Sequence, residues 1–238
     1  MAKISKRRAE LNKKYDKLKA YPINEALALV VETANAKFDE SIEIHVRLNV
    51  DPRQADQQVR STVSLPNGTG KTKRVVVLTS TDKNVEAQEA GADFVGSTDL
   101  VDKIKAGWLD FEAVIATPEM MRFIGPLGKI LGPRGLMPSA KAGTVTTNVG
   151  VTVKEIKAGR VQYRVDKTGI LHNLIGKASF GPGKLAQNVS AYMNAVIKSR
   201  PQAVKGAFIK SITISSTQGL GIRVDVPSVE KMGTSAAE

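Results

Sequence analysis

Val75-Val76-Val77-Leu78 is the stretch on which the fold turns. Four apolar residues in succession suit a strand covered on both faces, as in a parallel sheet held between helices. About thirty residues upstream the rule is different. Ile42, Ile44, Val46 and Leu48 alternate there with Ser41, Glu43, His45 and Arg47, the period of a strand with one buried and one wet face. Val59, Val63 and Leu65 suggest a second strand of that half-buried kind.

The solid pattern recurs downstream in Ala92-Asp93-Phe94-Val95 and in Phe111 to Ala116, with helix-like stretches between the runs. Asp82 and Thr98 are expected N-caps, and Gly91 and Gly107 are expected helix stops, so residues 67–159 read as repeated β-α units. Beyond Gly159 alternation returns, with Val161, Tyr163 and Val165 inward and Arg160, Gln162, Arg164 and Asp166 outward. A helix then presents Leu185, Val189, Tyr192 and Val196 on one face. Phe208 to Thr217 and Ile222 to Val226 form a closing hairpin about Gln218-Gly219-Leu220-Gly221.

Near the start, Ile23, Ala26, Leu27, Val30, Val31 and Ala34 trace a helix behind Pro22. Residues 1–20 hold eight Lys or Arg and two acids, with Leu11, Tyr15 and Leu18 at helical spacing, and read as a basic arm. Met232 to Glu238 read as a frayed tail. The expected architecture is a mixed α/β and α+β chain of two domains. An α+β domain is built from both termini, residues 1–66 and 160–238, and an α/β domain of residues 67–159 is inserted into it.

Composition narrows the function. Thirty-five Lys and Arg against 23 Asp and Glu give a net charge of +12, a balance that attracts polyanions by releasing their counterions. The two-part domain holds ten of the twelve charges, +3 in residues 1–66 and +7 in 160–238, against +2 in the insert. No cysteine occurs, which removes disulfides, thiolate catalysis and Cys-ligated zinc and fits a reducing compartment. The longest apolar run, Ala26 to Val31, falls far short of the ~20 residues of a membrane helix.

Enzyme signatures are weak. Gly68-Thr69-Gly70-Lys71-Thr72 ends like a phosphate-binding P-loop, but Leu65 stands where the pattern needs glycine, and a strand rather than a helix follows. A nucleotide-dependent enzyme using the insert is therefore the alternative reading, and a flexible crossing between domains is the preferred one for this segment. With His45 and His172 alone there is no His pair at metal-binding spacing and no catalytic site is expected, nor any cofactor or small-molecule substrate. His45, on a wet strand face, is read either as a phosphate contact or as an inert surface residue.

Aromatics make up 5% of the chain, too few for serial base stacking, which leaves recognition of a folded RNA by shape, phosphate and 2′-hydroxyl contacts. Ser211, Thr213, Ser215 and Thr217 recur at period two and line hydroxyls along one strand face. Ordinary β-propensity of threonine on a solvated face explains the same row. Lys37-Phe38-Asp39-Glu40 places an aromatic beside a cation just after a helix, either as a stacking ring or as a core residue.

Several blocks occur in an order that resembles the large-subunit ribosomal protein L-one family, over roughly residues 3–226. The most specific is Ile124-Gly125-Pro126-Leu127-Gly128-Lys129-Ile130-Leu131-Gly132-Pro133-Arg134-Gly135-Leu136-Met137-Pro138. Ala36 to Glu40, Gly91 to Asp93, Asp110 to Val114, Lys141 to Thr144, Asp166 to Gly169 and Gly176 to Phe180 add to it. The resemblance implies a ferredoxin-like split β-α-β domain made of both termini, with a Rossmann-like three-layer insert.

It also implies partners: large-subunit rRNA within the ribosome, exit-site tRNA, and the mRNA of its own operon, which such proteins repress. The free protein is then a monomer, of a cytoplasmic or plastid ribosome. Carried over by position, RNA contacts fall on Lys37, Phe38, Arg164, Asp166, Lys167, Thr168, Ser211, Thr217 and Gly219. The family's usual Thr-Met-Gly-Pro is replaced by Thr217-Gln218-Gly219-Leu220, so Gln218 stands at a contact position without the methionine's apolar surface. Around the glycine-proline block, Lys129, Arg134 and Lys141 are candidates for a secondary phosphate contact, and a structural turn explains the same block.

Overall fold

The computed structural model describes residues 6–80 and 83–229. The expected cap at Asp82 and the expected tail from Met232 lie outside the described residues. The chain divides into two compact units, residues 1–70 with 163–238, and residues 71–162. The crossings expected at 66/67 and 159/160 therefore fall four and three residues later in the folded chain.

In the two-part unit, helices α1 (Lys6–Lys14) and α2 (Ile23–Thr33) precede strand β1 (Ser41–Leu48) and the short strand β2 (Arg60–Ser64). Strand β6 (Arg160–Arg164) spans the boundary between Gln162 and Tyr163, and β7 (Ile170–Lys177), helix α8 (Gly181–Lys198), β8 (Ile209–Ser216) and β9 (Ile222–Val224) follow. Four strands form an antiparallel sheet in the order β7-β1-β8-β9. The N–H of Val165 donates to the carbonyl of Val59.

Parity of side chains explains this sheet. Ile42, Ile44, Val46, Leu171, Ile175, Ile212 and Ile214 are all buried, and α2 and α8 supply Ala26, Leu27, Val30, Leu185, Val189, Tyr192 and Val196 against them. Polar groups in this layer have partners: Tyr192 Oη donates to Asn173 Oδ1 at 2.9 Å, and Tyr163 Oη to the carbonyl of Ala195. On the opposite face of the sheet, Glu43, His45, Arg47, His172, Ser211, Thr213 and Ser215 are exposed or half-exposed.

Two local details differ from expectation. Helix α1 stops at Lys14, so Leu18 is not on its apolar stripe but is 84% exposed. Val63 is half-buried, because β2 lies outside the main sheet.

The inserted unit is built around β3 (Val75–Leu78), β4 (Phe94–Gly96) and β5 (Ala113–Ala116), parallel and in the order β4-β3-β5. Helices α3 (Asn84–Glu89), α4 (Thr98–Lys105), α5 (Met121–Ile124), α6 (Gly128–Leu131) and α7 (Val149–Ala158) surround it. Val75 and Val77 pack with Ala87, Val149, Val153 and Ile156 on one side. Val76 and Leu78 pack with Leu100, Ile104, Ile124 and Leu131 on the other. A strand sandwiched this way must be apolar at every position, which is what the Val75 to Leu78 run encodes.

Gly91 and Gly107, at φ +87° and +102°, end α3 and α4, conformations that side-chain-bearing residues rarely adopt. The start of α4 differs by one position from expectation: Thr98 is already helical, Ser97 holds the cap position, and Asp99 Oδ1 accepts the N–H of Ser97. Strand β4 begins at Phe94, and just before it Asp93 accepts the N–H of Val75 through Oδ2 at 2.8 Å.

Candidate nucleic-acid interface

The uncovered sheet face is polar by construction. Register pairs Glu43 with Ser215, His45 with Thr213 and with His172, and Arg47 with Ser211 and Ile170, so these side chains share one side. Ser211, Thr213, Ser215 and Thr217 do run along this wet face, each exposed or half-exposed.

At one end of the face, two of the sequence-selected segments meet. The Lys37-Phe38 loop, between α2 and β1, lies against the Thr217-Gln218-Gly219 turn that follows β8. The link is Glu40, which is buried. Its Oε2 accepts Ser216 Oγ–H at 2.7 Å and the Gln218 N–H at 2.9 Å, while Oε1 accepts the Ala36 N–H at 2.9 Å. Burial alone pushes this carboxyl up, but those donors, with Arg7 nearby, outweigh it and hold the pKa below the ordinary value.

Arg7 of α1 completes the junction. Its Nη1 donates to Gln218 Oε1 at 2.8 Å, its Nε donates to Asn35 Oδ1, and its Nη2 lies 3.8 Å from Glu40 Oε1. Gln218 thus has a partner that a methionine does not offer, and its side chain is held rather than free. Gly219 has no room for a side chain, since a Cβ there falls on Ser216 Oγ, the hydroxyl that Glu40 holds.

The outcome for each candidate differs. Phe38 is 51% exposed, which decides between its two sequence readings: the ring is presented to solvent rather than spent in the core. Lys37 is exposed beside it. Thr217 is anchored, its N–H donating to the carbonyl of Ser41 and its Oγ1 accepting the Ser41 N–H at 3.0 Å, so it fixes the start of β1. Ser211 sits six residues away at the far end of β8, where Arg47 is its partner.

Arg164, Asp166, Lys167 and Thr168 lie in and beside the turn joining β6 to β7, toward that same far end. Asp166 organises the turn: Oδ1 accepts the N–H groups of Thr168 and Ile170, both at 2.8 Å, and the Thr168 hydroxyl is within reach of both oxygens. Burial raises the pKa of this carboxyl, yet the Ile170 and Thr168 donors and His172 bring it down to about 2. The carboxylate is therefore a turn former that leaves Arg164 and Lys167 outermost. With Pro52, Gln58 and Arg60 they line a cleft of about 210 Å³.

Between the two ends lies a contact that sequence spacing did not reveal. His45 Nδ1 and His172 Nδ1 are 2.8 Å apart, His45 Nε2 is 3.1 Å from Ser215 Oγ, and His172 Nε2 is 3.5 Å from Asp166 Oδ2. One proton between two ring nitrogens satisfies both rings only if at least one imidazole is neutral. Burial, then the neighbouring His172, lowers the His45 pKa against the opposing pull of Glu43. Ser215 stands on the open face of a strand, and the described residues contain no group of three His, Cys, Asp or Glu suited to a metal.

Of the secondary candidates, Lys129 is in α6, Arg134 in the turn after it, and Lys141 in a 3₁₀ turn over Ala140–Ala142, all exposed on the inserted unit. The start of the P-loop-like segment is tied to helix α8, and the boundary between the two units falls within the segment, between Gly70 and Lys71. Asn188 of α8, fully buried, accepts the Asn67 N–H and donates to the carbonyls of Gly68 and Ile175. Strand β3, not a helix, follows Thr72, so the P-loop architecture is absent.

Sequence reasoning does not single out Glu40, Arg7 or Asn188. Glu40 does have a sequence signal, because it keeps the inward parity of Ile42 and Ile44, and a carboxylate at buried parity demands donors. No helix among the described residues is long and apolar enough to cross a membrane. The antiparallel sheet has one polar face, with exposed Phe38 and Lys37 in a braced loop at one end and exposed Arg164 and Lys167 at the other. The model of the ribosomal protein L1p/L10e family matches residues 30–220, and the chain belongs to that family.

Proposed function

We propose that the two-part unit is the ferredoxin-like domain that specifies large-subunit rRNA, and that the inserted unit is the Rossmann-like second domain. The family gives a ribosomal structural role with rRNA binding. The finer reading is that this chain builds the mobile stalk of the large subunit, assists release of deacylated tRNA from the exit site, and represses the mRNA of its own operon through a mimic of the rRNA site. Lys129, Arg134 and Lys141 then offer a secondary RNA contact from the second domain.

The observation that supports the reading best is the Glu40 junction, which presents Phe38 and Lys37 next to the Thr217 to Gly219 turn without using their side chains for packing. Charge agrees with it, since the two-part unit carries 22 Lys and Arg against 13 Asp and Glu, or +9 of the +12. Added to large subunits stripped of this protein, the chain is expected to co-sediment through a high-salt wash, because shape and stacking contacts survive salt where charge-only binding weakens steeply. Release by salt at the same concentration that frees it from polyuridylate contradicts the proposal.

A further inference from the structure

The hydroxyl row of β8 does not end at bare strand. Beyond Ser211 and Thr213 a cleft of about 570 Å³ opens, lined by Arg47 of β1, Lys210 of β8 and Arg223 of β9, with Asp225 as the carboxylate on its wall. Register sets the arrangement: Arg47 is opposite Ser211 and Arg223 opposite Thr213, so two guanidinium groups from the strands on either side flank the two hydroxyls. All three cationic side chains are exposed, and among the described residues none takes part in an ion pair. Asp225 has other duties, Oδ2 accepting the Ser228 N–H and its backbone joining Tyr21.

Three unpaired cations drawn from three adjacent strands repel one another, and the single carboxylate beside them leaves the cluster net positive. A polyanion neutralises it. From Thr217 to Ser211 the row covers about 20 Å at ~3.3 Å per residue, enough to follow several nucleotides of one backbone. We infer that this cleft is a phosphate-binding extension of the RNA surface, taking consecutive phosphodiesters of the strand whose 2′-hydroxyls lie along Ser211 to Thr217. The inference rests on the proposed rRNA-binding role and adds Arg47, Lys210 and Arg223 to its contacts. The cleft sets affinity and salt dependence, while the Phe38 junction sets specificity.

The test compares the full-length protein with Arg47→Gln/Lys210→Gln/Arg223→Gln, using deproteinised large-subunit rRNA as probe. Polyuridylate serves as the non-specific comparator. Removing one cation from a phosphate reduces the slope of log K against log salt by about 0.7–0.9, so the triple variant is expected to lose about 2 units of slope on rRNA. Lys184→Gln/Lys198→Gln/Lys205→Gln removes the same charge from α8 and the loop beyond it, and is expected to leave the slope nearly unchanged. An unchanged slope in the first variant, or equal reductions in both, overturns the cleft. If wild type prefers rRNA to polyuridylate in those cases, the ribosomal reading stands without it; if wild type shows no preference, both fall.

Discussion

The two units use their sheets in opposite ways. In the inserted unit, adjacent residues of β3 face two different helical layers, so every side chain on the central strand packs. In the two-part unit, every second residue of β1 and β8 faces α2 and α8, and the alternate ones face water. A fully covered sheet leaves only its loops for recognition. A half-covered sheet offers a whole face, and here that face carries hydroxyls, imidazoles and guanidinium groups. The difference in charge, +9 against +3, follows the same division.

Neighbouring substitutions sharpen this contrast most. Ile44→Ala should cost about 3 kcal/mol in urea unfolding, through reduced burial and a residual cavity, whereas His45→Ala next to it should cost under ~0.5 kcal/mol. In β3 both neighbours should matter, Val76→Ala and Val77→Ala each costing about 2 kcal/mol. A sizeable loss at His45 or a negligible one at Val76 breaks the comparison. Glu40→Gln keeps the volume but weakens charge-assisted bonds to Ser216, Gln218 and Ala36, and should cost about 2 kcal/mol. It should also weaken rRNA binding by freeing the Phe38 loop.

The smallest effect is a pH dependence on the wet face. The folded pKa of His45 is depressed, so the unfolded chain binds protons more readily. Its contribution to stability is complete above the ordinary histidine pKa of about 6.5 and is lost as pH falls below it. Thermal melts of wild type between pH 7.5 and 5.5 should therefore slope downward more than those of His45→Gln. Parallel curves contradict the His45–His172 contact as described.

Periodicity made the two sheet types legible, because the decision between burying one face and burying both is written in consecutive side chains. Strand β1, helix α8 and the β8–β9 hairpin lie where Ile42 to Leu48, Leu185 to Val196 and Phe208 to Val226 place them. Boundaries were less visible: Ser97 rather than Thr98 occupies the position before α4, and Asp93 bonds Val75 just before β4 begins. The junction was hidden for another reason. Glu40 meets Ser216 and Gln218 across more than 170 residues, and Asn188 reaches Asn67 across 121, so no local pattern announces either. Apart from the inward parity of Glu40, only the folded chain shows them.

The central claim is that specificity resides at the braced Phe38 loop, and Phe38→Ala tests it most directly. The ring is exposed, so stability should change by less than ~0.5 kcal/mol. Titration with large-subunit rRNA should show a loss of about 1–3 kcal/mol, the scale of one base stacked on an aromatic, with the salt slope and polyuridylate binding unchanged. Equal losses on both RNAs, or no loss on either, contradict the account.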